Sequence, residues 1–248
     1  KIIRAANSVL QVAPADATDE TLKAYRGQAL AARAFAYFNM AQLYQFTYKG
    51  NETKLCVPIV TENMESDKQS NNPRATVQAV YDLIVDDLNN AVSLLDGYKR
   101  ADKSMIDQAV AYGLRARVNL VMQNWAEAAA DAAKALEVSG AEPYTLEDVS
   151  KPTFTSADAK SVLWANIITE TNDVVQTGIV NWPSHLSSLF SDGYTGVGAF
   201  KSISTLLYEK ISDTDVRKGW WLNEDFDSPL ISGDIYTDWK KDYAEACG

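Results

Sequence analysis

Asp213 and Asp215 lie two residues apart in "SDTDVRK", a spacing at which an extended segment or loop can aim two carboxylates at one substrate. Two acids flanking a sugar serve glycoside hydrolysis, and Glu224 and Asp225 follow close behind. The same stretch has a simpler use, with Asp side chains capping a turn and pairing with Arg217. Asp86 and Asp87 are a second acidic pair, but neighbours on a helix diverge by about 100° and cannot face one substrate together. Both are expected on a solvated helix face. His185 is the only histidine, and Ser184, Ser187 and Ser188 lie near it without a G-x-S-x-G elbow. It reads as a hydrogen-bonding group rather than a base. Cys56 and Cys247 stand far apart with no C-x-x-C spacing, so a zinc site of nitrogen and sulfur ligands is not expected. No cofactor or metal is called for.

The stronger signal is aromatic. "NWPSHLSSLFSDGYTGVG", beginning at Asn181, sets rings among Asn, Asp, Ser and Gly. An aromatic face can stack on the C–H face of a sugar ring while polar side chains bond its hydroxyls. Trp182 and Tyr194 would stack; Asn181, His185 and Asp192 would hydrogen-bond. Trp220 and Trp221 add two more rings, placed in the core or at the surface.

These residues need a support, and helical periodicity supplies one in the first half of the chain. Leu30, Ala34, Tyr37, Ala41 and Tyr44 share one stripe of a long helix. Val77, Tyr81, Ile84, Leu88, Ala91 and Leu95 share another, with Thr76 as N-cap. Ala109, Gly113 and Ala116 form a small-residue stripe suited to close packing. In "NWAEAAADAAKALEVSG", Trp125, Ala129, Ala132 and Leu136 form the expected buried stripe. Asn124 and Glu127 have capping-box spacing, and Gly140 sits at the C-cap. This pattern predicts stacked, tetratricopeptide-like helical hairpins rather than a regular solenoid. After Gly140 the character changes: "VLWANII" reads as a short buried strand, "ISTLLYEKI" as helix, and the rest as loops. The expected organisation is a scaffold over 1–140 and a loop-rich ligand region over 141–248, one structural unit together.

Composition narrows the partners. With 23 basic and 33 acidic residues, the 248-residue chain carries a net charge of -10. The densest basic spot, "YKR" with Lys103, is interrupted by Asp102, which argues against nucleic acid and anionic membrane surfaces. The most apolar run, "ALAARAFAYFNMAQL", is broken by Arg33 and Asn39. The N-terminal residues read as helix, neither signal peptide nor lipid-anchor motif.

The chain resembles the SusD/RagB-like family of surface glycan-binding lipoproteins. The likeness runs through "AARAFAYFNMAQLY", "VPIV", "PRATVQAVYDLIVDDLNNAVSLL" and "AVAYGLRARVNLVMQNWAEAAADAAKALE", with "DTDVRK" resembling a late Asp-x-Arg turn. The resemblance implies a mainly α fold and a non-enzymatic oligo- or polysaccharide binder at the outer membrane. It also implies delivery of the glycan to a SusC-like, TonB-dependent transporter. The family's anchor cysteine is absent, and the chain is shorter than the family usually is, so a fragment is expected. The rival expectations are an α-helical glycoside hydrolase using Asp213, Asp215, Glu224 and Asp225, and a helical-repeat protein adaptor.

Overall fold

The computed structural model describes residues 1–64, 71–149, 156–169, 171–172 and 203–221. The chain divides into two compact units, one comprising Lys1–Glu142 with Lys160–Ala165, the other Pro143–Ala159 with Asn166–Gly248.

The first unit is helical. Its described elements are α1 (Ile2–Val12), α2 (Glu20–Tyr44), α3 (Val77–Leu94), α4 (Gln108–Met122) and α5 (Trp125–Ser139). Each helix packs on the next in chain order, and α2 also touches α4. Their starts follow from side-chain caps: Asp19 accepts from the Leu22 N–H, Thr76 from Ala79 and Asp107 from Val110. All six residues of the anticipated stripe on α3 are buried. They face α2, whose stripe is buried from Leu30 to Ala41 while Tyr44 emerges into solvent. Gly27 lets the two helices approach: a Cβ there would lie 2.7 Å from Leu95 Cγ. Gly140 takes the left-handed conformation that ends α5, with φ of 62°.

Four expectations are corrected. Asp87 is buried and faces α2, while Asp86 alone is exposed on the solvated face. The stripe Trp125, Ala129, Ala132 and Leu136 is exposed, and α5 instead buries Ala128, Asp131 and Ala135. The reason is an ion pair: Arg115 on α4 grips both oxygens of Asp131 at 2.8 and 2.7 Å, and Asn119 adds a third bond. This turns α5 so that its small residues meet α4, with Ala135 beside Gly113. Asn124 makes no capping bond with its side chain, which donates to Asn119 instead. Finally, residues 162–168 form no strand. Ala165 makes one main-chain bond, to Lys103, and the Trp164 indole donates to Ser104 while its ring meets Phe35 edge-on at 5.2 Å. Trp164 packs without a ladder, and the run is not buried: Ile167 and Ile168 are 42% and 48% exposed.

In the second unit the described elements are short: α6 (Leu146–Val149), α7 (Thr205–Tyr208) and a 3-10 turn, η1 (Val216–Trp220). The "ISTLLYEKI" helix is thus a single turn.

Candidate functional site

Asn181, Trp182, His185, Asp192 and Tyr194 lie outside the described residues, as do Glu224, Asp225 and Cys247. Trp221 is 39% exposed, and the Trp220 backbone closes η1.

Asp213 and Asp215 are described, and each is committed locally. Asp215 caps η1 by accepting from the Arg217 N–H, and its two oxygens take the Arg217 guanidinium. Those hydrogen bonds hold its carboxyl down at about 2. Asp213 pairs with Lys218, which also lowers its pKa. A glycosidase acid needs a raised pKa at working pH, and neither carboxyl has one. Asp215 follows the turn-capping reading, while Asp213 pairs with Lys218 instead of Arg217.

The most elaborate polar arrangement in the first unit was not anticipated. Arg33 on α2, 4% exposed, donates from Nε and Nη2 to the two oxygens of Asp87 on α3, both at 2.7 Å. Its Nη1 reaches Asn7 on α1 at 3.0 Å and pairs with Glu62. Asn7 and the Tyr37 hydroxyl both donate to the Val60 carbonyl, and the Val60 N–H returns a bond to Tyr37 at 2.7 Å. One guanidinium therefore ties three helices to Glu62, while Asn7 and Tyr37 beside it hold the "VPIV" segment. Burial opposes its charge, but Asp87 and Glu62 outweigh that and hold its pKa above the ordinary arginine value. Burial pushes the Asp87 carboxyl up against the pull of Arg33. Glu62 is held low, Arg33 overcoming the effect of burial. The sequence signals were an Arg interrupting the apolar run of α2 and an Asp beside Leu88 on the buried stripe.

Two concavities adjoin this knot. One, of about 780 Å³, runs between α1 and residues 58–64, with Arg4, Gln11 and Glu62 among its polar lining. The other, about 330 Å³, is bordered by Arg26, Arg33, Asp86 and Asp87. Every charged group in the knot is held in an ion pair, which suits structural support rather than proton transfer. Among the described residues no His/Cys/Asp/Glu group could hold a metal, and no helix is long and apolar enough to cross a membrane. Cys56 is buried, and burial raises its thiol pKa, which suits a packing role.

Residues 1–120 match the model of a SusD-like family described as starch-binding and associating with the outer membrane. No curated protein matches the chain. Among solved structures it is similar to a SusD-like carbohydrate binding protein from Bacteroides vulgatus, at 25% identity and a TM-score of 0.69, over 87% of this chain and 44% of that one. It is also similar to a SusD superfamily protein from Bacteroides thetaiotaomicron, at 26% identity and TM-score 0.51, over 60% of this chain and 33% of the relative. A further SusD superfamily protein from Bacteroides vulgatus shares the fold at 21% identity and TM-score 0.58, over 77% and 43% of the two chains. The chain spans less than half the length of these relatives. Over its first 120 residues the chain matches the SusD-like family, and in fold it is similar to these solved SusD-like proteins.

Proposed function

We propose that the chain binds oligo- or polysaccharide, without catalysis, at the outer surface of the outer membrane. There it hands the glycan to a SusC-like, TonB-dependent transporter, the whole protein being held by a lipid anchor. The observation that carries this reading is the likeness, across 87% of the chain, to a protein described as carbohydrate binding. In this reading residues 1–140 are the scaffold and 141–248 the ligand region, the two working as one structural unit. Trp182 and Tyr194 stack on sugar rings, and Asn181, His185 and Asp192 bond hydroxyls. The local pairing of Asp213 and Asp215 supports a binder over a hydrolase.

A protein-adaptor reading draws on one feature, the outward stripe of α5 with Trp125 61% and Leu136 52% exposed. Native affinity electrophoresis against a polysaccharide panel separates the readings. The parent, Trp182→Ala and Asp213→Asn/Asp215→Asn are run together, with reducing-end release assayed on the same samples. Retardation lost in Trp182→Ala, kept in the Asn pair and unaccompanied by sugar release is the expected result. Release that disappears in the Asn pair would establish hydrolysis, and no retardation by any glycan would favour the adaptor.

A further inference from the structure

α5 buries only one side. Ala128, Asp131 and Ala135 lie on it, turned to α4 by the Arg115–Asp131 pair. Successive residues of a helix turn by about 100°, so those three fix where every other side chain of α5 points. Ala126, Ala129, Ala130 and Ala133 lie on the opposite side, and all four are exposed. Trp125 and Leu136, 61% and 52% exposed, border that side along one edge. Glu127 and Lys134, also exposed, border it along the other. The turn that follows α2, from Gln45 to Leu55, owes its place to main-chain bonds with residues 75–78. The outward face of α5 owes its layout to helical geometry alone.

The order of residues along α5 names what covers it. Reversing the helix about the point midway between Ala130 and Asp131 brings Trp125 level with Leu136 and Glu127 level with Lys134. Two antiparallel helices related by a two-fold axis set like edges side by side, and every contact occurs twice. Trp125 of one copy then lies against Leu136 of the other, and on the far edge Glu127 meets Lys134. Opposite charges at such flanking positions set partner and orientation. Between the edges lie alanines, which let the axes approach to the close end of the 8–10 Å range. A parallel pair would instead set each Trp125 edge against the charged edge and leave the charges unmatched. Lys134 already stands 2.8 Å from Glu137, but an exposed pair three residues apart contributes little, and the ammonium keeps two further donors. α5 has 15 residues, so it is about 22 Å long and about 10 Å across. That footprint is well below the roughly 800 Å² that a stable complex takes from each side. The pairing is therefore weak, with Kd between about 1 µM and 1 mM.

We propose that two copies of this chain pair antiparallel through α5, with Trp125 against Leu136 and Glu127 against Lys134 across the alanine seam. The pairing is independent of carbohydrate binding. Sedimentation velocity of the full chain from about 1 µM to about 1 mM tests it, with far-UV circular dichroism of every variant. The parent is expected to move from monomer toward dimer across that range. Glu127→Lys or Lys134→Glu turns both cross-pairs into like-charge contacts and is expected to weaken association by about tenfold, with helicity unchanged. Glu127→Lys/Lys134→Glu restores opposite charges and is expected to associate like the parent. Mixing the two single variants gives one copy two lysines and the other two glutamates, and the mixture is expected to pair more tightly than either component. A parent that stays monomeric throughout would overturn the pairing and leave the face to a different protein. Parent-like association of both single variants would place the dimer on another surface and overturn it too, as would a mixture no tighter than its components.

Discussion

Arg33→Met removes a guanidinium and leaves its partners in place. The Asp87 side chain, 2% exposed, would then be a charge with neither partner nor water. Glu62, at 12%, can turn toward solvent and keeps Arg26 at 3.9 Å. Breaking a buried ion pair from one side costs about 3–5 kcal/mol. Both Asp87 oxygens lose a short bond here, and methionine recovers some packing, so about 4 kcal/mol is expected. In a chain of this size that lowers Tm by about 10 °C. Arg33→Met/Asp87→Leu takes away both charges and should return to within about 1 kcal/mol of the parent. Urea unfolding followed by circular dichroism reads all three proteins. The pH dependence has a definite sign. Burial raises the Asp87 carboxyl, and without Arg33 nothing opposes it. A carboxyl whose folded pKa exceeds its unfolded value weakens the fold as pH rises through that interval. Glu62 works the other way in the parent: its lowered pKa stabilises above its ordinary 4.5 and is lost as pH falls through the folded value. Both effects narrow the gap between parent and Arg33→Met in acid and widen it at neutral pH. A single-variant loss under about 1 kcal/mol, or a double variant no better than the single, would refute the reasoning. So would a gap that grows toward acid.

Gly27→Ala should lower Tm by a few degrees in differential scanning fluorimetry. The new Cβ meets Leu95 Cγ at 2.7 Å and Leu94 Cβ at 3.2 Å, and overpacking of about 1–3 kcal/mol exceeds the better helix propensity. An unchanged Tm would mean that α2 and α3 part easily. Gln123→Gly should raise the free energy of unfolding by about 0.5 kcal/mol, read as a higher urea midpoint, since Gln123 ends α4 at φ 64° where a side chain is strained. A lower midpoint would mean that glycine's freedom in the unfolded chain outweighs that relief.

The helices of the first unit were legible because their apolar spacing and caps are local properties. Thr76, the six-residue stripe of α3 and Gly140 needed no knowledge of neighbours. Asp87 and Trp125 show where such reading stops. Periodicity ranks faces by hydropathy, and it cannot see a guanidinium 54 positions away that makes a carboxylate the better buried group. On α5 the Arg115–Asp131 pair overrides a tryptophan for the same reason. "VLWANII" misled because an apolar run records neither a neighbouring strand nor burial itself: Ile167 and Ile168 are exposed. Of the candidate site, composition singled out Trp182 and Tyr194 because their surroundings are polar.

The turn from Gln45 to Leu55 has a consequence for how the surface it carries can change over time. The residues that hold it are mostly main-chain groups of 52, 54, 55 and 56 answered by groups on 74 to 78. Main-chain bonds are indifferent to the side chains hung on them. Thr47, Lys49, Thr53 and Lys54 point outward from the same support without bracing it. Descendants of this sequence can therefore rewrite the face around Phe46 one substitution at a time while the fold beneath stays the same.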